Sequence, residues 1–248
     1  MLNQIAGAVI LIIAFTSTVI GQATKNLSPK NNVDAKWEES LGGAEAVGAL
    51  ARLGDLSSAR IREHLKQMRQ PAYLPGPVLV NKIVELQHLP IAESKRVDQL
   101  RAALQPVLDY HERGKMPIYV LRSEAPKAYL VERSAIIITT RIMVIASDEE
   151  IRGVIAHELA HEYVWEERKR AKETNDGRLM RECELFCDAV AAFTLMEIGD
   201  DPASYGRILE RLTIIGSNAG NLTRGETASH PSLGARQKLN KFLCQRFK

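Results

Sequence analysis

Five consecutive residues, His157-Glu158-Leu159-Ala160-His161, hold the most chemistry readable in this chain. Two histidines four apart on a helix face the same way, with Cβ atoms about 5–6 Å apart, so both rings can grip one metal ion. The glutamate after the first histidine is placed to take a proton from a water held by that ion. Zinc suits such ligands, and a catalytic zinc uses three protein ligands and one open position. His157 and His161 supply two. Downstream candidates for the third are Glu166, Glu167, Glu173, Glu182, Glu184 and Asp188. Glu166 and Glu167 fall five and six residues past His161 on what reads as the same helix, and rotate away from it. A later helix offers Glu184 and, one turn on, Asp188. That pair can give one ligand and one outer carboxylate, which accepts the free N–H of a ligating histidine and fixes its tautomer.

Several elements must position these groups. Ser147-Asp148-Glu149-Glu150 is a capping-box pattern that starts a helix through Ile151, Val154, Ile155 and Leu159. Gly153, one turn before His157, leaves room near the metal or is simply tolerated. Ahead of this helix lie three β-rich runs, 118–121, 128–131 and 135–140, the last being the strongest strand signal. They predict a small, mostly antiparallel sheet. Helical spacing predicts further helices over about 59–69, 94–113, 179–198, 202–215 and 231–242, with a loop at 216–230. Arg168-Lys169-Arg170 follows Glu166-Glu167 and reads as a solvated helix face. His64, His88 and His111 sit in ordinary contexts and read as structural or surface residues.

The chain has 248 residues and a formal net charge of +3, too small to argue for a nucleic-acid partner. Cys183, Cys187 and Cys244 are too few, and odd in number, for a disulfide framework. Cys183 and Cys187 share a helix face and could bind metal, but read first as small buried side chains. Ile5 to Ile20 is an apolar run of 16 residues, short for a membrane span of about 20 and suited to a signal-peptide core. Residues 1–23 are therefore expected to be a signal peptide or an N-terminal anchor, and the protein exported: periplasmic or secreted, or membrane-anchored where the segment stays uncleaved. Residues 24–93 read as a linker and N-terminal helical segment. Asn26 and Asn221 open glycosylation-type triplets that matter only in a eukaryotic secretory route.

His157 to His161, followed by Glu184-Leu185-Phe186-Cys187-Asp188, resembles the gluzincin metallopeptidases related to the CAAX prenyl protease and the bacterial heat-shock protease HtpX. Cys187 stands where that family usually has alanine. Three further segments agree: Lys127-Ala128-Tyr129-Leu130, Ile138-Thr139-Thr140-Arg141, and Ser229-His230-Pro231 with Arg236. The likeness covers about residues 94 to 245. It implies an α+β, mostly helical, zincin-like metallopeptidase domain over 94–248, with the histidine-bearing helix packed on the sheet. It also implies one Zn2+ per chain held by His157, His161 and Glu184, with Asp188 behind them and Glu158 as the base. His230 would assist near the oxyanion or cap the open metal position, or else serve as a structural turn before Pro231. The substrate would be a protein or peptide, lying as an added strand along Ile136, Ile137, Ile138 and Thr139. The family's several membrane spans are missing, which suggests a soluble, single-domain endopeptidase acting on exported or envelope proteins, with quality control as the family's theme. Alternatives are a zinc-bound interaction module without catalysis, or a latent protease covered by residues 34–93 or by the loop 216–230.

Overall fold

The structure, a computed structural model, describes residues 41, 43–54, 57–68, 90–131, 133–218 and 229–246. In chain order its elements are helices α1 (Ala44–Leu53), α2 (Ser58–Met68) and α3 (Lys95–Tyr110), strands β1 (Ile118–Leu121), β2 (Ala128–Val131) and β3 (Ala135–Thr139), then helices α4 (Thr140–Ile145), α5 (Asp148–Ala160), α6 (Trp165–Thr174), α7 (Gly177–Glu197), α8 (Ala203–Asn218) and α9 (Leu233–Arg246). The apolar run Ile5–Ile20, both glycosylation-type triplets, His88 and most of the loop 216–230 lie outside the described residues. Among the described residues no helix is long and apolar enough to cross a membrane.

Helix starts follow local chemistry. The Ser147 hydroxyl accepts the Glu150 N–H at 3.2 Å, and the Glu150 carboxylate accepts the Ser147 N–H at 2.9 Å, so the capping box forms as its residues dictate. Asp176 caps α7 by accepting the Leu179 N–H at 2.9 Å, two residues earlier than the apolar periodicity suggested. Gly199, at φ 85, follows the end of that helix.

The sheet differs from the expected one in two ways. β3 pairs parallel with β1 and antiparallel with β2, so the sheet is mixed, in the order β1-β3-β2. Ile136, Ile137, Ile138 and Thr139 therefore form the central strand, and cannot be the edge along which a peptide is added. Their continuous run of β-branched side chains is the reason. Ile136 and Ile138 face the core shared with α5, while Ile137 and Ala135 face a second cluster with Leu121 and Val131, so both faces are buried. The outer side of β1 is occupied: Ala92 N–H reaches Val120 O at 2.7 Å, Arg122 N–H reaches Pro90 O at 2.9 Å, and Arg101 Nε donates to Ile118 O at 3.2 Å. On the outer side of β2 no strand pairs among the described residues.

Helix α7 is the axis of the helical layer. Ala191 and Leu195, on the stripe begun by Glu184 and Asp188, join the cluster of α5, α3 and Tyr205 of α8. Cys183, Phe186, Val190 and Phe193 join Leu41, Ala46, Ala49, Leu50 and Leu53 at the start of the described chain. Helices from both sides of residue 94 thus share one core. Arg181 clasps Glu45 at 2.7 Å and Arg52 clasps Glu182 at 2.6 Å, and Gly48 leaves space for the Glu182 carboxylate, which a Cβ there would meet at 2.7 Å.

Candidate metal centre

Helix α5 ends at Ala160, with His161 as its C-cap. Three successive i to i+3 bonds, from the N–H groups of His161, Glu162 and Tyr163 to Glu158, Leu159 and Ala160, tighten the chain into a turn. Glu162 anchors that turn from inside, buried and paired with Arg113 at 2.5 Å. Glu166 and Glu167 consequently belong to α6 rather than to the histidine helix. The change of direction turns Arg168 back over the site, where its Nη2 lies 3.3 Å from Glu184 Oε1. Lys169 and Arg170 remain exposed, so only two of the three basic residues form the expected solvated face.

The ligand atoms of His157, Glu158 and His161 lie within 4.8 Å of one another. Glu184 approaches the same point from α7. Its Oε2 is 3.4 Å from His157 Nε2, and its Oε1 is 3.9 Å from His161 Nε2. Two imidazole nitrogens and a carboxylate, with a further carboxylate behind, form a donor set that fits zinc. Proximity alone does not choose between Glu158 and Glu184 as the third ligand; proton affinity separates them. Burial raises the Glu158 carboxyl to about 7, with Glu184 adding to the rise, while His157, Arg168 and the Leu130 N–H oppose it. Burial pushes Glu184 the same way, but His161, His157 and Arg168 together hold it well below the usual carboxylate range. One carboxylate is set to stay ionised and the other to trade a proton near neutrality.

The two rings have different surroundings. His157 Nδ1 lies 2.9 Å from Asp188 Oδ1 and 2.8 Å from the Tyr205 hydroxyl. That hydroxyl donates to Asp188 Oδ1 at 2.6 Å, so towards His157 it accepts. Arg236 closes the group, with Nε 2.7 Å from Asp188 Oδ2 and Nη2 2.9 Å from the Tyr205 oxygen. Burial lowers the His157 pKa, but hydrogen bonds to Asp188 and then Glu184 outweigh it and carry the ring up to about 9. Burial likewise raises Asp188, and Arg236 reverses this and holds it at about 2. Among the described residues no such carboxylate stands behind His161: its Nδ1 faces Cys187 Sγ at 3.0 Å, and burial takes its pKa well below the ordinary value.

The structure thus brings His157, Glu158, His161, Glu184 and Asp188 together. His230 is exposed, with Nδ1 2.8 Å from Ser229 Oγ; partial desolvation lowers its pKa, and it feels the charges of Glu184, Arg236, Arg168 and His157. Nothing in the sequence marks Tyr205 or Arg168 as a site residue: a tyrosine on a separate helix and an arginine in a charged run carry no spacing signal. Gly153 faces Tyr205 and Leu195 rather than opening room beside the histidine rings. A Cβ there would meet Tyr205 Cβ at 3.0 Å and Leu195 Cδ1 at 3.2 Å, so the glycine lets α8 lie close enough for the hydroxyl to reach His157. The Leu130 N–H that serves Glu158 places the outer edge of β2 beside the centre. Thr139 N–H bonds to Lys127 O at 3.0 Å, so by antiparallel alternation the backbone groups of Ala128 and Leu130 point away from β3.

His64 and His111 are structural. His64 Nε2 meets Arg52 O at 2.7 Å, and His111 bridges Tyr163 and Thr194 at 2.7 and 3.1 Å.

With this geometry in hand, comparison with known proteins is specific. Residues 92–172 match the pattern of peptidase family M48. Through this segment, about a third of the chain, the protein is similar to that family. The matched M48 segment takes in the sheet, α5 and the turn behind it, and stops short of Glu184 and Asp188. A protein described as a protease HtpX homolog, from Thermodesulfovibrio yellowstonii, is 48% identical over 48 residues, which is 18% of this chain and 17% of that protein. The chain therefore spans, in that match, about a sixth of its curated relative's length.

Proposed function

We propose that the protein is a zinc-dependent endopeptidase, with His157, His161 and Glu184 as metal ligands, Asp188 orienting His157, and Glu158 as general base. The observation that carries this reading is the convergence of Glu184, from a separate helix, on both Nε2 atoms at 3.4 and 3.9 Å, with Glu158 alongside. When bound, a zinc ion supplies Lewis-acid chemistry, polarising a carbonyl and making a neighbouring water more acidic. Glu158, with a carboxyl at about 7, takes the proton of the attacking water and returns it to the leaving amide nitrogen. Leu130 N–H orients that carboxylate. Substrate backbone adds along the outer edge of β2, where the carbonyls of Ala128 and Leu130 face outward. His230 stands at the rim, in reach of the same charges, as a candidate for assisting the oxyanion. Exported or envelope proteins are the proposed substrates, in keeping with the apolar segment Ile5–Ile20.

The test is zinc quantification beside casein cleavage for the wild type and Glu158→Gln. One zinc per chain is expected in both, with cleavage in the wild type alone and blocked by a chelator. Full activity in Glu158→Gln, or a wild type that holds no zinc, overturns the reading.

A further inference from the structure

Helix α7 presents Glu184, Cys187 and Asp188 at positions i, i+3 and i+4, all on the side that meets α5. Glu184 faces both histidines, Asp188 stands behind His157, and Cys187 stands behind His161. The first two already have roles. The cysteine, fully buried and with its sulfur 3.0 Å from His161 Nδ1, has none.

We propose that Cys187 is a positioning residue for the metal centre: its sulfur accepts the Nδ1–H of His161 and so holds the Nε2 lone pair of that ring towards the metal. The inference rests on the zinc reading above and adds a residue to it. A histidine that ligates through Nε2 carries its proton on Nδ1, and that N–H needs an acceptor when water is excluded. His161 Nε2 points the right way, 3.9 Å from both Glu158 Oε2 and Glu184 Oε1. A thiol sulfur is a weak acceptor and a carboxylate a strong one, with charge-assisted bonds about twice as strong as neutral ones. One helix thus supplies a strong support to one ring and a weak support to the other.

The experiment measures zinc affinity, by competition with a chromophoric chelator, for the wild type, Cys187→Ala, Cys187→Ser and Cys183→Ala, with thermal melts of the metal-free proteins alongside. Cys187→Ala is expected to bind zinc about tenfold more weakly or worse. Cys187→Ser, which keeps an acceptor, should recover most of the loss. Cys183→Ala, one turn away and not against a ring, should match the wild type. Cys187→Val, which keeps the volume, replaces the alanine variant if that one fails to fold. Wild-type affinity in Cys187→Ala (or in its valine substitute), or a serine variant as weak as the variant lacking an acceptor, overturns the proposal while leaving the zinc centre standing. A wild type that binds no zinc overturns both.

Discussion

His157 and His161 are the same residue type, one turn apart on one stretch of chain, yet their proton affinities diverge in opposite directions. The ring of His157 rises to about 9, and that of His161 falls well below the ordinary value. Both are buried, so desolvation pulls each down. The difference lies behind the rings. Asp188, Tyr205 and Arg236 build a charged, mutually satisfied group against His157, while His161 faces a thiol. An H-E-x-x-H motif thus sets the spacing of two histidines and leaves their basicity to the helices that pack against them. The charged group also ties three helices together, since Asp188 is on α7, Tyr205 on α8 and Arg236 on α9.

The largest expected effect comes from breaking the charged side. Arg236→Met leaves the Asp188 carboxylate buried without its cation, and should cost about 3–5 kcal/mol in the urea unfolding of metal-free protein. Asp188→Ala should weaken zinc binding by about 10–100-fold, and more than Cys187→Ala does. Equal losses in the two variants would erase the asymmetry between the rings. Tyr205→Phe keeps the stacking on His157, whose ring centroid lies 5.8 Å away, but removes the hydroxyl shared by Asp188 and Arg236. A loss of about 1–3 kcal/mol is expected, measured by the same unfolding curve. The smallest effect lies at the far end of α5. Ser147→Ala removes the cap and should cost about 1 kcal/mol, with zinc affinity unchanged. Burial raises the Glu150 carboxyl, but bonds from Arg211 and the Ser147 N–H hold it below its ordinary value. Its contribution to stability is therefore full above the unfolded carboxyl's pKa and is lost as pH falls through the lowered folded value. Glu150→Gln should accordingly flatten the acid limb of a stability-versus-pH curve; an unchanged limb would remove Glu150 from the account.

Much of this centre was legible because its signals are local. The histidine pair, the glutamate between, the capping box and the Glu184–Asp188 pair are all read within one or two helical turns. What was missed is not local. Arg168 reaches Glu184 only because the chain breaks after His161, and the i to i+3 turn that breaks it has no proline or glycine to mark it. The third strand, the candidate edge for substrate, carries the strongest β signal in the sequence. That same apolar continuity is what burial on both faces demands, so it belongs in the middle, and the half-buried β2 takes the edge beside Glu158.

By itself, the sequence determined the types of the candidate ligands, their spacing on two helices, and the helix starts that place them, because hydrophobic period, caps and i to i+4 geometry act between near neighbours. Only the tertiary structure decided strand order, which strand lies at the edge among the described residues, the company of each histidine, and which carboxylate stays ionised. Those depend on groups as far apart in the chain as His157, Asp188, Tyr205 and Arg236, brought together by packing, with burial magnifying every charge they meet.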